Sequence, residues 1–286
     1  MSFEVVMQKE YCFCTLAVGK RYRTHAKILA KDIQEQAPLV SFVVLTDEPA
    51  DFEEYSHVIA IKHRLQSVKG YHDKRFVIEK SLERFDTCVF LDSDIRIIGP
   101  IPKELEWLPG ITARTGCNIL KHNMETKLRP EFALIEQVAQ KLEINLQETI
   151  WFHEFMFAVK KQAGAEQNFL KLWQDISYMF EMQGIYDGEG NVMGLAAAKA
   201  GLPIRFDSED RFPFFKDNIE KIRVKMGQSN IKEKQIYFDM HKDIEYPKRT
   251  FIRKIIDKIT QKAILYYRFL RLKYILKRNS GLQELF

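Results

Sequence analysis

The chain has 286 residues, of which 46% are hydrophobic and 29% are charged. This length allows one large domain or two small ones, and the apolar fraction is sufficient for a buried core, which excludes disordered and fibrous proteins. Basic residues exceed acidic ones by 44 − 39 = 5. Residues 247–278 hold eleven Lys and Arg against one acid, a net of +10, which leaves 5 − 10 = −5 for the rest. Because the body is mildly acidic, we expect no nucleic-acid partner.

The first ten residues contain no basic stretch followed by an apolar run, so we expect no signal peptide. No stretch approaches the roughly 18 apolar residues of a membrane span. The four cysteines, at positions 12, 14, 88 and 117, lack the spacing of a ligand cluster and are expected to be free thiols, mostly buried. A reducing, cytoplasmic compartment is therefore expected.

The first half of the chain alternates strand and helix patterns. Apolar runs predict strands over 11–18, 40–46, 57–61 and 87–91, and helical spacing predicts helices over 22–36 and 73–85. Strands that alternate with helices indicate an α/β fold with an open, mostly parallel, Rossmann-like sheet. Ligands of such sheets bind at the carboxyl ends of the strands.

The second half is less regular. Helices are predicted over 130–142 and 162–182 with a strand over 149–159 between them, and a Gly-rich acidic loop over 186–191 leads into a helix over 192–200. Late strands are predicted over 203–206 and 235–240. The composition changes at Pro247, which predicts a body of residues 1–246 and a basic helical tail of residues 247–286.

Two aspartates, Asp92 and Asp94, follow the apolar run that ends at Leu91. Their spacing places both carboxylates on one side of an extended chain. Burying a carboxylate at a strand end costs several kcal/mol unless it is paired or bound to a metal. Two hard oxygen ligands suit Mg²⁺ or Mn²⁺ held together with substrate phosphates. The alternative is an ordinary turn, since Asp-Ser-Asp also favours turns.

The Asp-x-Asp strand and the residues before it resemble the GT-A-fold nucleotide-sugar glycosyltransferases. The resemblance is greatest to the retaining group that includes glycogenin and the lipopolysaccharide galactosyltransferases. In that group a donor-contacting Arg stands seventeen residues before the first metal Asp, and 92 − 17 gives Arg75 here. A His on a late strand is the third metal ligand of the family, and His241 matches it, although the Gly and Lys pattern that follows that His in the family is absent.

The resemblance implies a GT-A-like, metal-dependent glycosyltransferase that uses Mn²⁺ or Mg²⁺. The donor is expected to be a nucleoside-diphosphate sugar, with UDP as the nucleotide, and the acceptor a glycan or a glycolipid, with retention of stereochemistry. The metal ligands are expected to be Asp92, Asp94 and His241. The residues expected to bind the donor are Thr15, Ala17, Arg75, Asp92, Ser93 and Lys242.

Three acids are candidates for catalytic contact with the substrate. Glu154 lies inside the aromatic run 151–157, where burial is expected to raise its pKa. Asp187 and Glu189 lie in the acidic loop, and Glu189 falls on the first acid of the family's Asp-Gln-Asp segment, whose Gln is replaced by Gly190. The alternative for this loop is a helix N-terminus with acids placed favourably by the helix dipole.

The tail repeats apolar residues every three or four positions, between Ile252 and Leu270, with Lys and Arg at several of the remaining positions. This pattern predicts an amphipathic helix that holds the protein at an anionic membrane surface, at the inner face of the membrane. The alternative is a C-terminal helix that packs on the body.

The sequence leaves two other functions open. An inactive membrane- or partner-binding module could be built on the same fold, although both aspartates are present. A sugar nucleotidyltransferase would need a Gly-rich, basic loop after the first strand, and residues 18–21 are poor in glycine.

Overall fold

The computed structural model describes residues 10–124, 130–207, 210–248 and 250–278. Residues 1–9 and part of the predicted tail, residues 249 and 279–286, lie outside the described residues. The strands are β1 (Tyr11–Ala17), β2 (Ser41–Thr46), β3 (Val58–Lys62), β4 (Thr87–Leu91), β5 (Arg96–Ile97), β6 (Gly110–Ala113), β7 (Gly116–Asn118), β8 (Ile150–Phe152), β9 (Met156–Lys160), β10 (Ile204–Phe206) and β11 (Phe214–Phe215). The helices are α1 (Lys20–Gln36), α2 (Lys74–Leu82), α3 (Ile119–His122), α4 (Pro130–Lys141), α5 (Ala165–Met182), α6 (Glu189–Ala200), α7 (Asp217–Lys225), α8 (Ile231–Glu245) and α9 (Phe251–Arg278).

The described residues form two compact units. The first comprises residues 10–64, 80–106 and 210–248, and the second comprises residues 65–79, 107–124, 130–207 and 250–278. The predicted division into a body of 1–246 and a tail of 247–286 stays a prediction.

The first unit is built on four parallel strands in the order β4-β1-β2-β3. In this register Cys12 lies between Ser41 on one side and Cys88 on the other. Strands β1, β2 and β4 are buried and are apolar along most of their length. Helix α1 covers the parallel strands with Ala26, Leu29 and Ile33. All four cysteines are free, and only Cys117 is partly exposed.

The second unit contains the parallel pair β10–β6, the antiparallel pair β6–β9 and the antiparallel pair β7–β8. The sequence predicts one strand over 149–159, but the structure has β8 and β9 in different ladders, separated by residues 153–155. Across both units the strand pairs are mostly parallel and are accompanied by helices, so the predicted α/β class is confirmed.

The predicted strand over 235–240 is wrong, because these residues lie in helix α8. The side chain of Asn230 accepts a hydrogen bond from the backbone N–H of Lys232 and caps the helix. The partly buried residues Tyr237, His241 and Ile244 recur every three or four positions along one helix face. The short run Ile-Tyr-Phe has strand-like composition, and a short apolar run does not by itself distinguish a strand from a helix.

Helix α9 differs between its two halves. Near its C-terminus Leu272 and Leu276 are buried in a cluster with Val68 and Tyr178, all in the second unit. Nearer its N-terminus Ile252 and Ile259 are largely exposed. No helix among the described residues combines the length and the low charge that crossing a bilayer requires.

Helix α6 begins at Glu189, three residues before the predicted start, and packs closely on β8. A Cβ atom at Gly190 would lie 2.6 Å from the carbonyl oxygen of Phe152, and one at Gly194 would overlap the carbonyl oxygen of Ile150. Glycine at these two positions, one helical turn apart, therefore lets the helix approach the strand.

We expect Gly194→Ala to lower the free energy of unfolding by about 2 kcal/mol, because overlap with a backbone carbonyl outweighs the gain of about 1 kcal/mol in helix propensity. The measurement is urea denaturation followed by circular dichroism. Ala198→Ser, on the exposed face of the same helix, is the control and is expected to change stability by less than about 0.5 kcal/mol. Equal stability of Gly194→Ala and the wild type would contradict the close packing.

Candidate functional site

The Asp92–Asp94 turn lies at the carboxyl end of β4, in the first unit. All five residues of β4 are buried, and the Thr15 hydroxyl donates to the carbonyl oxygen of Leu91 at 2.7 Å. The backbone N–H of Ile95 donates to the Asp92 carbonyl at 3.0 Å and closes the turn. The strand end is thereby fixed, and it carries two carboxylates only two residues apart.

Both carboxylates meet the side chain of Lys216. Its ammonium lies 3.0 Å from Asp92 Oδ2 and 2.5 Å from Asp94 Oδ1, and the lysine side chain is only 13% exposed. Burial alone would raise the pKa of Asp94, but Lys216, the hydrogen bond with His241 and the nearby His25 outweigh it and hold that pKa well below its usual range. Burial would likewise lower the pKa of Lys216, but Asp92 and Asp94 raise it.

A short ladder explains why Lys216 reaches this place. Strand β11 pairs antiparallel with β5, with Phe215 opposite Arg96, so Lys216 comes next to the chain that leaves Asp94. The guanidinium of Arg96 is held by two hydrogen bonds to the Asp32 carboxylate, at 2.6 and 2.8 Å. The sequence pattern does not predict Lys216 at this site, because two-residue strands separated by more than 110 residues give no periodic pattern.

The structure places His241 beside the same carboxylates. Its Nε2 lies 3.5 Å from Asp94 Oδ2. On the neighbouring helix α1, His25 Nε2 lies 3.1 Å from Glu245 Oε1, and the two imidazole rings are 5.4 Å apart. Burial lowers the pKa of His25 more than Asp94 and Glu245 raise it.

The other residues of the first unit that are predicted to bind the donor differ in their burial. Thr15 and Ala17 are fully buried, and the Thr15 hydroxyl already donates a hydrogen bond to the carbonyl oxygen of Leu91. Ser93 is buried between the two aspartates. Lys242 is exposed, since on a helix it faces about 100° away from His241.

Arg75 belongs to the second unit, where its side chain is buried. Its guanidinium carbon lies 3.6 Å from the centre of the Phe76 ring. Burial lowers its pKa despite the nearby acids, which include Asp73 and Asp175. Asp73 accepts backbone N–H groups from Gln66 and Ser67 at 2.6 and 2.7 Å, which fixes the loop before Arg75.

Glu189 forms a buried ion pair in the second unit. Its Oε1 lies 3.1 Å from the Lys74 ammonium. Burial would raise the pKa of Glu189, but Lys74 and His72 lower it, so the carboxylate is ionised. His72 itself is buried, which lowers its pKa to about 4, and its Nδ1 accepts a hydrogen bond from Trp173 at 3.1 Å. Glu189 is therefore a fixed negative charge in the first turn of α6.

The other two acid candidates are less enclosed. Asp187 is 72% exposed and pairs with Lys69 at 3.3 Å. The sequence predicts that Glu154 is buried, but its side chain is 26% exposed, and the predicted burial is wrong. The reason is that residues 153–155 form the turn between β8 and β9 rather than part of a strand.

No protein-family model matches the chain, and no curated protein matches it in sequence. Solved structures do show similarity to it. The WbbM bifunctional glycosyltransferase in its apo form has a TM-score of 0.47 and 11% identity over 72% of this chain, which spans 40% of the WbbM chain. The galactosyltransferase LgtC, in complex with donor and acceptor sugar analogues, has a TM-score of 0.46 and 11% identity over 68% of this chain and 72% of its own.

Proposed function

We propose that the protein is a metal-dependent glycosyltransferase that moves a sugar from a nucleoside-diphosphate sugar to a glycan or glycolipid acceptor. The observation that carries this proposal is the convergence of Asp92 and Asp94 on a single cation at the end of β4. UDP as the nucleotide and retention of stereochemistry rest on the sequence resemblance alone.

The donor set of this site suits a divalent ion. Two carboxylates and the His241 imidazole combine hard oxygen ligands with one nitrogen, which favours Mn²⁺ over Mg²⁺. The position of the Lys216 ammonium marks where the two carboxylates favour positive charge. We infer that Asp92, Asp94 and His241 hold the ion, which would stabilise the charge that develops on a departing nucleoside diphosphate.

Basic side chains of the protein are also proposed to bind the phosphates of the donor. Lys216, once the carboxylates hold another cation, is available to bind a donor phosphate in the first unit. We propose Arg75 as a donor contact on the basis of the sequence resemblance. We propose Lys242 as a second donor contact because it is next to His241 in the sequence.

Among the three acids, Glu189 is the strongest candidate for a catalytic role. A fixed, ionised carboxylate can stabilise the positive charge that develops at the anomeric carbon of the sugar. Asp187 and Glu154 are more exposed, and we propose that they contact the acceptor.

One observation favours the inactive alternative. Lys216 already pairs with both carboxylates, so a binding module without a metal could also retain them. Turnover of a sugar nucleotide decides between the transferase and the inactive binding module.

The experiment is a hydrolysis and transfer screen over UDP- and GDP-sugars with Mn²⁺, in which release of nucleoside diphosphate is measured. We expect turnover of at least one sugar nucleotide, which EDTA abolishes and Asp94→Asn lowers by at least about 100-fold, the loss typical of removing a group that stabilises transition-state charge. Asp257→Asn, in the largely exposed N-terminal half of α9, serves as the control for loss of a partly exposed carboxylate. Absence of turnover with every donor, or equal turnover in Asp94→Asn, contradicts the proposal.

The exposed half of α9 supports a second part of the proposal, attachment to an anionic membrane surface at the inner, cytoplasmic face. Ile255 and Ile259 are exposed, and Lys254 and Lys258 flank them. Near an anionic leaflet each basic residue contributes about 1 kcal/mol of binding free energy. Such attachment would bring the site to a lipid-linked acceptor.

We expect the full chain to co-sediment with vesicles that contain phosphatidylserine, to be released by salt, and not to bind neutral vesicles. The double variant Ile255→Ser/Ile259→Ser should weaken binding at least about tenfold, since each buried isoleucine contributes about 1.5 kcal/mol or more. Leu39→Ser, which removes an equally exposed leucine from the first unit, is the control. Equal binding to both vesicle types would contradict membrane attachment by this helix.

A further inference from the structure

The face between α1 and α8 in the first unit holds a second cluster of metal-ligating side chains. His25, His241 and Glu245 each offer one ligand atom, and these atoms all lie within 4.8 Å of one another. Among the described residues, no other group of three or more His, Cys, Asp or Glu side chains meets this criterion.

The helices explain the grouping. His241 and Glu245 are four residues apart on α8, so they share one face of that helix. That face packs on α1, which presents the buried His25. The three residues are therefore held by helices rather than by a loop, which fixes the positions of their ligand atoms.

The distances fit a small transition ion. Bonds of about 2.0–2.1 Å in a tetrahedral site place neighbouring ligand atoms about 3.4 Å apart. The observed separations include 3.1 Å between His25 Nε2 and Glu245 Oε1, and 3.5 Å between His241 Nε2 and Asp94 Oδ2. Because the ligand atoms of His25, His241 and Glu245 all lie within 4.8 Å of one another, side-chain rotations would be needed to bring them to a common centre, with Asp94 adjacent as a fourth oxygen.

The surroundings provide room and negative charge. A small pocket, partly open to solvent, is lined by His25, Asp94, Arg96 and His241 together with apolar side chains. The described carboxylates in and around it are those of Asp32, Asp92, Asp94 and Glu245, and the described cations that pair with them include Arg21, Arg96 and Lys216.

We propose that His25, His241 and Glu245 form a Zn²⁺ site. Two imidazoles and one carboxylate are a ligand set that zinc prefers, whereas Mg²⁺ disfavours nitrogen. The site goes beyond the proposed transfer reaction because it needs no sugar nucleotide. It shares His241 with the proposed donor-metal site and rests on that proposal only for the consequence that Zn²⁺ competes with Mn²⁺ for this imidazole.

The hydrogen bonds around Glu245 leave it able to bind a metal. Glu245 Oε2 pairs with Arg21 at 3.1 Å, while Oε1 faces His25. An ion that binds at Oε1 therefore keeps the Arg21 pair, which would hold the carboxylate in place in the manner of an outer-shell partner.

The test is Zn²⁺ titration of the full chain against a chromogenic chelator, without any sugar nucleotide. We expect one equivalent of Zn²⁺ to bind, and His25→Gln and Glu245→Gln each to weaken binding at least about tenfold, since loss of an outer-shell partner alone typically weakens binding 10- to 100-fold. Co²⁺ as a probe should give visible absorption bands in the wild type that His25→Gln removes.

Two controls establish that a loss of binding reflects loss of a ligand from this cluster. His153→Gln removes a histidine that also lies beside a carboxylate, Glu154, and should leave Zn²⁺ affinity unchanged. Thermal unfolding without metal checks that the variants fold, and Glu245→Gln, at the partly exposed edge of the cluster, provides the result if His25→Gln does not fold.

Wild-type affinity in both folded cluster variants overturns the proposal, as does the absence of bound Zn²⁺ in the wild type. Loss of binding in Asp92→Asn with full binding in His25→Gln and Glu245→Gln also overturns it, because the ion would then belong to the aspartate pair. If the sugar-nucleotide screen fails but both cluster variants weaken Zn²⁺ binding, only the proposed transferase function falls.

Discussion

Two carboxylates at the end of a buried strand require positive charge nearby, and the first unit is arranged around that requirement. Asp92 and Asp94 cannot move apart, because β4 is paired with β1 and the Thr15 hydroxyl holds its last carbonyl. An unpaired carboxylate in this position would cost several kcal/mol. Lys216 meets the requirement within the chain, and in the proposed function a divalent ion meets it during catalysis.

The same constraint accounts for the elements that follow the parallel strands. The β5–β11 ladder brings Lys216 to the aspartates, and Asp32 holds Arg96 of β5 against α1. Helix α8 then packs on α1, which places His241 near Asp94 and His25 near Glu245. The charged residues at this end of the unit thus form one connected network, so a change at one position is expected to alter the affinity of the others for cations.

The sequence best predicts those features of the fold and the site that depend on a local pattern of residues. Strands β1, β2 and β4 are continuous apolar runs, and the aspartates that end β4 are visible for that reason. Lys216 could not be predicted, because its position depends on a two-residue ladder that pairs distant parts of the chain. The sequence of α8 favours a strand because its apolar residues are few and mainly β-branched or aromatic. The sequence around Glu154 predicts burial because the turn before β9 lies within an aromatic run. The close packing at Gly194 likewise depends on tertiary contacts that no local pattern reports.

In the proposed function, Lys216 occupies the place of a divalent ion between Asp92 and Asp94. The most direct measurement is calorimetric titration of Mn²⁺ into the wild type and into Lys216→Met, which keeps the approximate length of the side chain and removes its charge. We expect Lys216→Met to bind Mn²⁺ about ten- to 100-fold more tightly, a gain of about 1.4–2.7 kcal/mol from the loss of a competing cation. Unchanged or weaker Mn²⁺ binding in a folded Lys216→Met variant would contradict this expectation.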